Sequence, residues 1–362
     1  MQTVTTDEVL VGRNGSAGTI RLNRPRALNS LNLQMVRAIA LALEQFSTDA
    51  EVGSVVILGE GERGFCAGGD IRALHQSGRS ESGDASTFWR EEFLLNHAIA
   101  NYPKPYVALM DGITMGGGVG LSAHGSHRIV TERTRLAMPE TGIGYFPDVG
   151  ASWLLPRAPG NTGTWLGLTG HEIGAADAIY ANLADHFVHS TDLPEVVDVI
   201  GRLSGRTSAP EVHATIAAFA RSPGESMLAA NGELIDRALG EDTVEEILRL
   251  LAAEEEDFAA ATLKAIATRS PTSLKLTLRL LRAGADSASL AECLERELGA
   301  CLQILHSPDF YEGIRAAVID KDRKPVWSPP SLADVDEELI DCFFTPPAPP
   351  LFDKQDRKEP QQ

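Results

Sequence analysis

Two apolar runs, the first of them β-branched, at 52–58 and 106–110, each lead into a glycine-rich turn. The turns are Phe65-Cys66-Ala67-Gly68-Gly69-Asp70-Ile71 and Met115-Gly116-Gly117-Gly118-Val119-Gly120. Short runs of this kind suit strands covered on both faces. Helical patterns at 33–46 and 87–100 precede the two runs, and a third run at 127–131 continues the alternation to about residue 190. Strands that alternate with helices pair in parallel in an α/β layer. Runs at 9–11 and 19–22 flank Asn14-Gly15, a hairpin signal. In the 33–46 helix, Val36, Ile39, Ala40, Leu43 and Phe46 share one face, and Asn32 is placed to cap it.

After about residue 190 the pattern is helical, as in VEEILRLLAAEEEDFAAATLKAIA and SLAECLERELGACLQIL. The sequence therefore predicts an α/β core over 1–190, a helical region over 191–344 and a disordered, proline-rich tail over 345–362. The formal net charge of -18 over 362 residues argues against nucleic acid and anionic membranes as partners. No apolar stretch approaches the ~20 residues of a membrane span. The four cysteines form no C-x-x-C pair, and the first residues show no secretory signal. A reducing, cytoplasmic setting is the expectation.

Each glycine turn sits at a strand-to-helix junction. Glycine lets backbone approach a ligand, and a helix start leaves N–H groups pointing outward. Two such groups converging on one oxygen make an oxyanion hole. Taken singly, either turn is better read as helix-packing or turn glycines. Downstream, MPETGIGYFPDVG at 138–150 sets Glu140 and Asp148 among apolar and glycine residues. An apolar pocket raises a carboxyl into the working range of a general acid or base. The alternative is a helix cap at Glu140 and a Pro-Asp turn at 147–148. His124 and His127 lack further ligands at metal spacing, and Cys66 lacks a nearby histidine partner, so neither is read as functional.

The order of NRPRALNSL, GFCAGGDI, MDGITMGGGVGL and MPETGIGYFPDVGAS resembles the crotonase, or enoyl-CoA hydratase/isomerase, superfamily. FWREEFLLNHA and DFYEGIRAAVIDKDRKPVW narrow the likeness to its 3-hydroxyisobutyryl-CoA hydrolase subgroup, over nearly the whole chain to Phe344. The resemblance implies a crotonase-like ββα spiral core with a C-terminal helical region. It implies an acyl-CoA substrate and hydrolysis of its thioester, a step of valine breakdown, with coenzyme A as part of the substrate and neither cofactor nor metal. It implies that Gly69 and Gly117 polarise the thioester carbonyl, and that Gly68 and Gly116 of the same turns bind substrate. Glu140 and Asp148 match catalytic carboxylates and Glu92 a substrate-contacting one. Arg26, Ala27 and Leu28, with Ala67, Asp70 and Ile71, fall where coenzyme A passes. Relatives of this kind often form homo-oligomers.

Hydratases of the superfamily carry a second glutamate two residues after the triple glycine; here that position is Gly120. Hydration uses two glutamates to place water, so Gly120 together with Asp148 points to acyl transfer to water. An enoyl-CoA hydratase or isomerase is the rival reading, and a noncatalytic CoA-binding protein the third.

Overall fold

In the computed structural model, residues 6–353 are described, and they fall into two compact units that interleave along the chain. The first unit takes in 6–69, 94–136 and 173–226. It opens with the expected hairpin, β1 (Val9–Asn14) against β2 (Ala17–Leu22), antiparallel and closing at Asn14 opposite Ala17. Helix α1 (Leu33–Thr48) follows, its N-terminus capped by Asn32, whose Oδ1 accepts from the Met35 N–H at 2.9 Å.

Among the described residues seven further strands follow: β3 (Ser54–Gly59), β4 (Gly64–Cys66), β5 (Tyr106–Met110), β6 (Ile113–Met115), β7 (His127–Val130), β8 (Arg135–Ala137) and β9 (His186–Phe187). One sheet runs β1-β2-β3-β5-β7-β9, and all its pairings after the hairpin are parallel. Burial on both faces explains the continuous apolar runs: Val55, Val56 and Ile57, then Val107, Ala108 and Leu109, are all buried. On one side Val56, Val107, Leu109 and Ile129 pack on Leu193, Val196 and Ile200 of the helix Leu193–Gly201. On the other, Gly18 leaves room for the Phe46 ring of α1.

A second sheet, β4-β6-β8, is built from strands of three residues each. It decides the placement of the glycine turns. Strands β4 and β6 are parallel neighbours, so the two turns leave adjacent strands at their carboxyl ends, where α/β folds gather ligands.

The second unit takes in 70–93, 137–172 and 227–353. It is helical, beginning with α2 (Ile71–Ser80) and the first half of α3 (Asp84–Ala100), with long helices at Pro271–Ala285 and Leu290–Ile304. Helical character does take over late in the chain, but the units do not part at residue 190. Residues 70–93 and 137–172 belong with the late helices, an arrangement made by long-range contacts that local periodicity does not encode. Nor does a free tail begin at residue 345. The amides of Leu351 and Phe352 donate to Glu295 Oε2 at 2.9 and 3.1 Å, and the Phe352 ring is buried. One aromatic anchor and a buried carboxylate outweigh the polar composition around them. Residues 354–362 of the expected tail lie outside those described. Among the described residues no helix is long and apolar enough to cross a membrane.

Gly118 sets how closely the second turn rides on β4. A Cβ there would collide with the Cys66 carbonyl oxygen, which is backbone and cannot swing away. Gly118→Ala should therefore destabilise the protein by about 1–3 kcal/mol, read by chemical denaturation. An unchanged denaturation midpoint would show that the turns tolerate separation.

Candidate active site

The glycine turns meet within the first unit. Gly68 has φ 93°, a conformation that side chains resist, and a Cβ on it would lie 3.2 Å from the Met115 carbonyl oxygen and 3.4 Å from Gly117 N. Gly116, at φ 49°, precedes α4 (Gly117–Ser122). As the first residue of that helix, Gly117 has no acceptor for its N–H inside it. Leu31 fixes the other turn from behind: it bridges Gly69 in parallel, and its N–H donates to the Gly68 carbonyl at 2.8 Å. Gly68, Gly69, Gly116 and Gly117 are thus brought together.

The positions expected along coenzyme A divide. Arg26 and Ala27 belong to a 3₁₀ turn, Pro25–Ala27, and Leu28 follows in the left-handed region at φ 52°. The Leu28 carbonyl accepts from the Ala67 N–H at 3.0 Å, which sets this turn beside the first glycine turn. Asp70 and Ile71 open α2, where the Asp70 carboxylate accepts from the Ala73 N–H at 3.4 Å. That contact assigns Asp70 a capping duty in the fold.

Within the second unit the carboxyls gather. Glu92, Glu140 and Asp148 are each no more than 6% exposed. Neither Glu92 Oε1 nor Glu140 Oε2 has a hydrogen-bond partner in the protein. Asp148 has one: the Tyr145 hydroxyl donates to Asp148 Oδ2 at 2.9 Å, and the Cys301 sulfur lies 2.9 Å from the same hydroxyl. Trp89 on α3 stacks on the Tyr145 ring at 6.1 Å between centroids, and Phe146 stacks at 4.7 Å. Aromatic walls and buried acids make an apolar environment in which ionisation is costly.

Burial pushes Glu92 and Glu140 well above the usual carboxylate range, and the Asp148 charge pushes both further. Asp148 itself is raised to about 7, first by burial and then by Glu297. Glu297 also stands at about 7, chiefly through burial, even though hydrogen bonds from Ser152 and Gly150 favour its ionised form. Such a cluster holds protons at neutral pH and can exchange them with a substrate. Carboxyl oxygens without a protein partner are suited to bind hydroxyl groups or water.

Three residues of this neighbourhood, and Asn96 of the first unit, do not stand out in the sequence. Tyr145 lies inside the segment that carries Glu140 and Asp148, and nothing in its local pattern distinguishes it from a core aromatic. Glu297 and Cys301 lie on the helix Leu290–Ile304, with Cys293, Glu297 and Cys301 spaced by four along one buried face. A glutamate on an apolar stripe is the signal that could find it. Asn96, four residues after Glu92 on α3, is wholly buried, and neither of its amide atoms has a partner.

Raised carboxyls leave a mark on stability. Between its ordinary 3.8 and about 7, Asp148 is protonated when folded and ionised when unfolded. The folded state then binds more protons, so stability falls as pH rises through that window. Asp148→Asn removes this loss. Its stability relative to the parent should grow from about pH 4 to about pH 7, gaining on the order of 1.4 kcal/mol for each pH step of one. Denaturation at both pH values checks it, and a difference that does not change with pH would contradict the buried charge.

The enoyl-CoA hydratase/isomerase family model matches residues 17–344. The 3-hydroxyisobutyryl-CoA hydrolase, mitochondrial, of Xenopus laevis is 45% identical over 340 residues, 93% of this chain and 88% of that protein. Its human counterpart is 41% identical over 343 residues, with the same two coverages. Among solved structures, a carnitinyl-CoA dehydratase from Mycobacterium thermoresistibile has a TM-score of 0.90 and 42% identity, covering 96% of this chain and 99% of its own. An enoyl-CoA hydratase from Rhodobacter sphaeroides 2.4.1 has a TM-score of 0.87 and 42% identity, covering 96% and 100%. The expectation of a cytoplasmic protein is overturned by the hydrolase relatives, which are named mitochondrial. Compartment depends on delivery, which overall charge and cysteine usage do not encode. The crotonase likeness read from four short segments holds over residues 17–344: the chain belongs to the enoyl-CoA hydratase/isomerase family.

Proposed function

We propose that the protein hydrolyses the thioester of 3-hydroxyisobutyryl-CoA, or a similar short 3-hydroxyacyl-CoA, to the free hydroxy acid and coenzyme A, in valine degradation. The observation that carries this reading is the buried pair Glu140 and Asp148, together with Gly120 at the position where hydratases carry their second glutamate. The names of the hydrolase relatives support it.

In this reading the N–H groups of Gly69 and Gly117 receive the thioester oxygen as negative charge develops on it. In other enzymes one such donor is worth about 2.7–4 kcal/mol of barrier. Glu140, in its ionised form, delivers the nucleophile. It either takes a proton from water as the water oxygen bonds to the carbonyl carbon, or bonds to that carbon itself to form an anhydride that water then opens. In both routes the carbon–sulfur bond breaks and coenzyme A leaves as the thiolate. In the direct route it takes the proton that Glu140 drew from water; in the anhydride route it is protonated from solvent, and the water that later opens the anhydride gives its oxygen to one carboxyl and its protons to the two carboxylates or solvent. Asp148 and Glu92 accept hydrogen bonds from the substrate hydroxyl and from water. A pocket of acceptors rejects an acyl group that lacks the hydroxyl, because its oxygens stay unpaired. The reaction needs neither metal nor cofactor.

A free-thiol assay over a panel of acyl-CoA thioesters tests the reading. The 3-hydroxyacyl compounds should release thiol, and crotonyl-CoA should not be hydrated. Glu140→Gln should lower kcat by about 100- to 10,000-fold, the usual worth of a positioned acid or base. Because the working carboxylates must be ionised while burial raises them, kcat/KM should climb with pH across the neutral range, near Asp148's value of about 7. Absence of thiol release from every 3-hydroxyacyl-CoA would sink the hydrolase reading. Oxygen-18 from labelled enzyme carboxyl appearing in the product would select the anhydride route.

A further inference from the structure

The segment that follows Asp148 is strained. Val149, a β-branched residue, lies in the left-handed region at φ 54°, and Gly150 follows at φ 85°. A β-branched side chain there is a genuine conformational outlier, of a kind that persists only where surrounding structure over-determines it and that collects at functional sites. One side chain holds the residues that follow Val149. Glu297 accepts three hydrogen bonds from the next turn of chain: Gly150 N–H to Oε2 at 2.7 Å, Ser152 N–H to Oε1 at 2.9 Å and Ser152 Oγ–H to Oε1 at 2.5 Å. Behind Ser152 the helix Pro271–Ala285 closes in, and a Cβ on its Gly284 would collide with the Ser152 carbonyl oxygen. Between Glu297 and Gly284 the 149–152 segment has no room to relax.

A wholly buried glutamate is an expensive clamp. Neutral side chains could satisfy two amides and a hydroxyl at lower cost. What a carboxyl adds is charge, and Asp148 is the carboxyl that feels it.

We propose that Glu297 is a positioning residue of the reaction, which holds the strained Val149–Ser152 turn and so fixes the Asp148 carboxyl in place against Tyr145. The inference rests on the reading above that Asp148 serves catalysis. It assigns Glu297 a second effect, electrostatic repulsion that keeps Asp148 titrating in the neutral range. The groups facing Asp148 are Tyr145 from its own loop, Glu92 from α3, Glu140 from the preceding 3₁₀ turn, and Glu297 and Cys301 from the helix Leu290–Ile304. Arg296, beside Glu297, is the cation that offsets it, and Cys293 and Ser152 complete its surroundings.

The experiment is the pH profile of kcat/KM on a 3-hydroxyacyl-CoA for the full chain, Glu297→Gln, Glu297→Asp, Ser152→Ala and Asp148→Asn, with a melting curve for each. Glu297→Gln removes the charge, so the acid limb should move down by about one pH unit while kcat falls and KM holds. Glu297→Asp keeps the charge, and its limb should stay with the parent. Ser152→Ala leaves the carboxyl but withdraws a donor that favours its ionised form, so its limb should move in the same direction by less. A merely structural glutamate would change the melting temperature and the yield of active enzyme without moving the limb. A folded Glu297→Gln with the parental limb overturns the proposal. If Glu297→Gln does not fold, Ser152→Ala decides by the same criterion. If Asp148→Asn keeps parental kcat and limb, it is the reading of Asp148 that fails, an outcome separate from any result at Glu297.

Discussion

Burying carboxyls in an apolar setting, four of them on or around the 140–148 segment, is the constraint around which the second unit is arranged. Glu92, Glu140, Asp148 and Glu297 are all buried, and each is pushed up first by burial. Each such group costs several kcal/mol if it ionises without compensation, so a chain built only to be stable would fill these places with leucine. Their surroundings are apolar on several sides: the aromatic rings of Trp89, Tyr145, Phe146 and Phe310 limit water, and one hydroxyl, that of Tyr145, gives Asp148 a fixed partner.

The first unit solves a different problem with different means. It presents backbone N–H groups, which carry no net charge and need no counter-ion. Glycine at 68 and 118 lets two turns approach closely, and parallel pairing of β4 with β6 makes them neighbours. Rigid backbone donors need no reorganisation when charge develops on an oxygen, which is why they suit a transition state better than a mobile lysine would.

Part of this is legible in the sequence, and the rest is hidden for identifiable reasons. The Asn14-Gly15 hairpin, Asn32-capped α1 and the strands at β3, β5 and β7 follow from local rules, and all are present. The β4-β6-β8 sheet is not legible, because a three-residue strand is too short to establish a period. The interleaving of the two units is not legible either, since it is decided by contacts between distant segments. Glu140, Asp148 and Glu92 are marked by resemblance rather than geometry, and their common burial gives that reading a physical basis. Glu297 is a different case, because its spacing from Cys293 and Cys301 puts it on an apolar stripe. Periodicity identifies the helix there, and Glu297 looks like an ordinary helix former until its burial is known.

The relatives bear names for different reactions at almost the same identity: a hydrolase at 45%, a dehydratase and a hydratase at 42%. Fold and overall identity therefore do not separate water addition from water attack on a thioester. The separation lies in which element supplies the second carboxylate. In α4 position 120 is a buried glycine, so that helix offers donors from its start and no acid from its body. The acids stand instead on α3, on the 140–148 segment and on the helix Leu290–Ile304. Hydration of a double bond asks for two carboxylates holding one water at carbons 2 and 3. Hydrolysis asks for a stabilised oxyanion at carbon 1 and acceptors for a 3-hydroxyl. With Gly120 in that place, the helix lacks the acid that the first requirement asks of it.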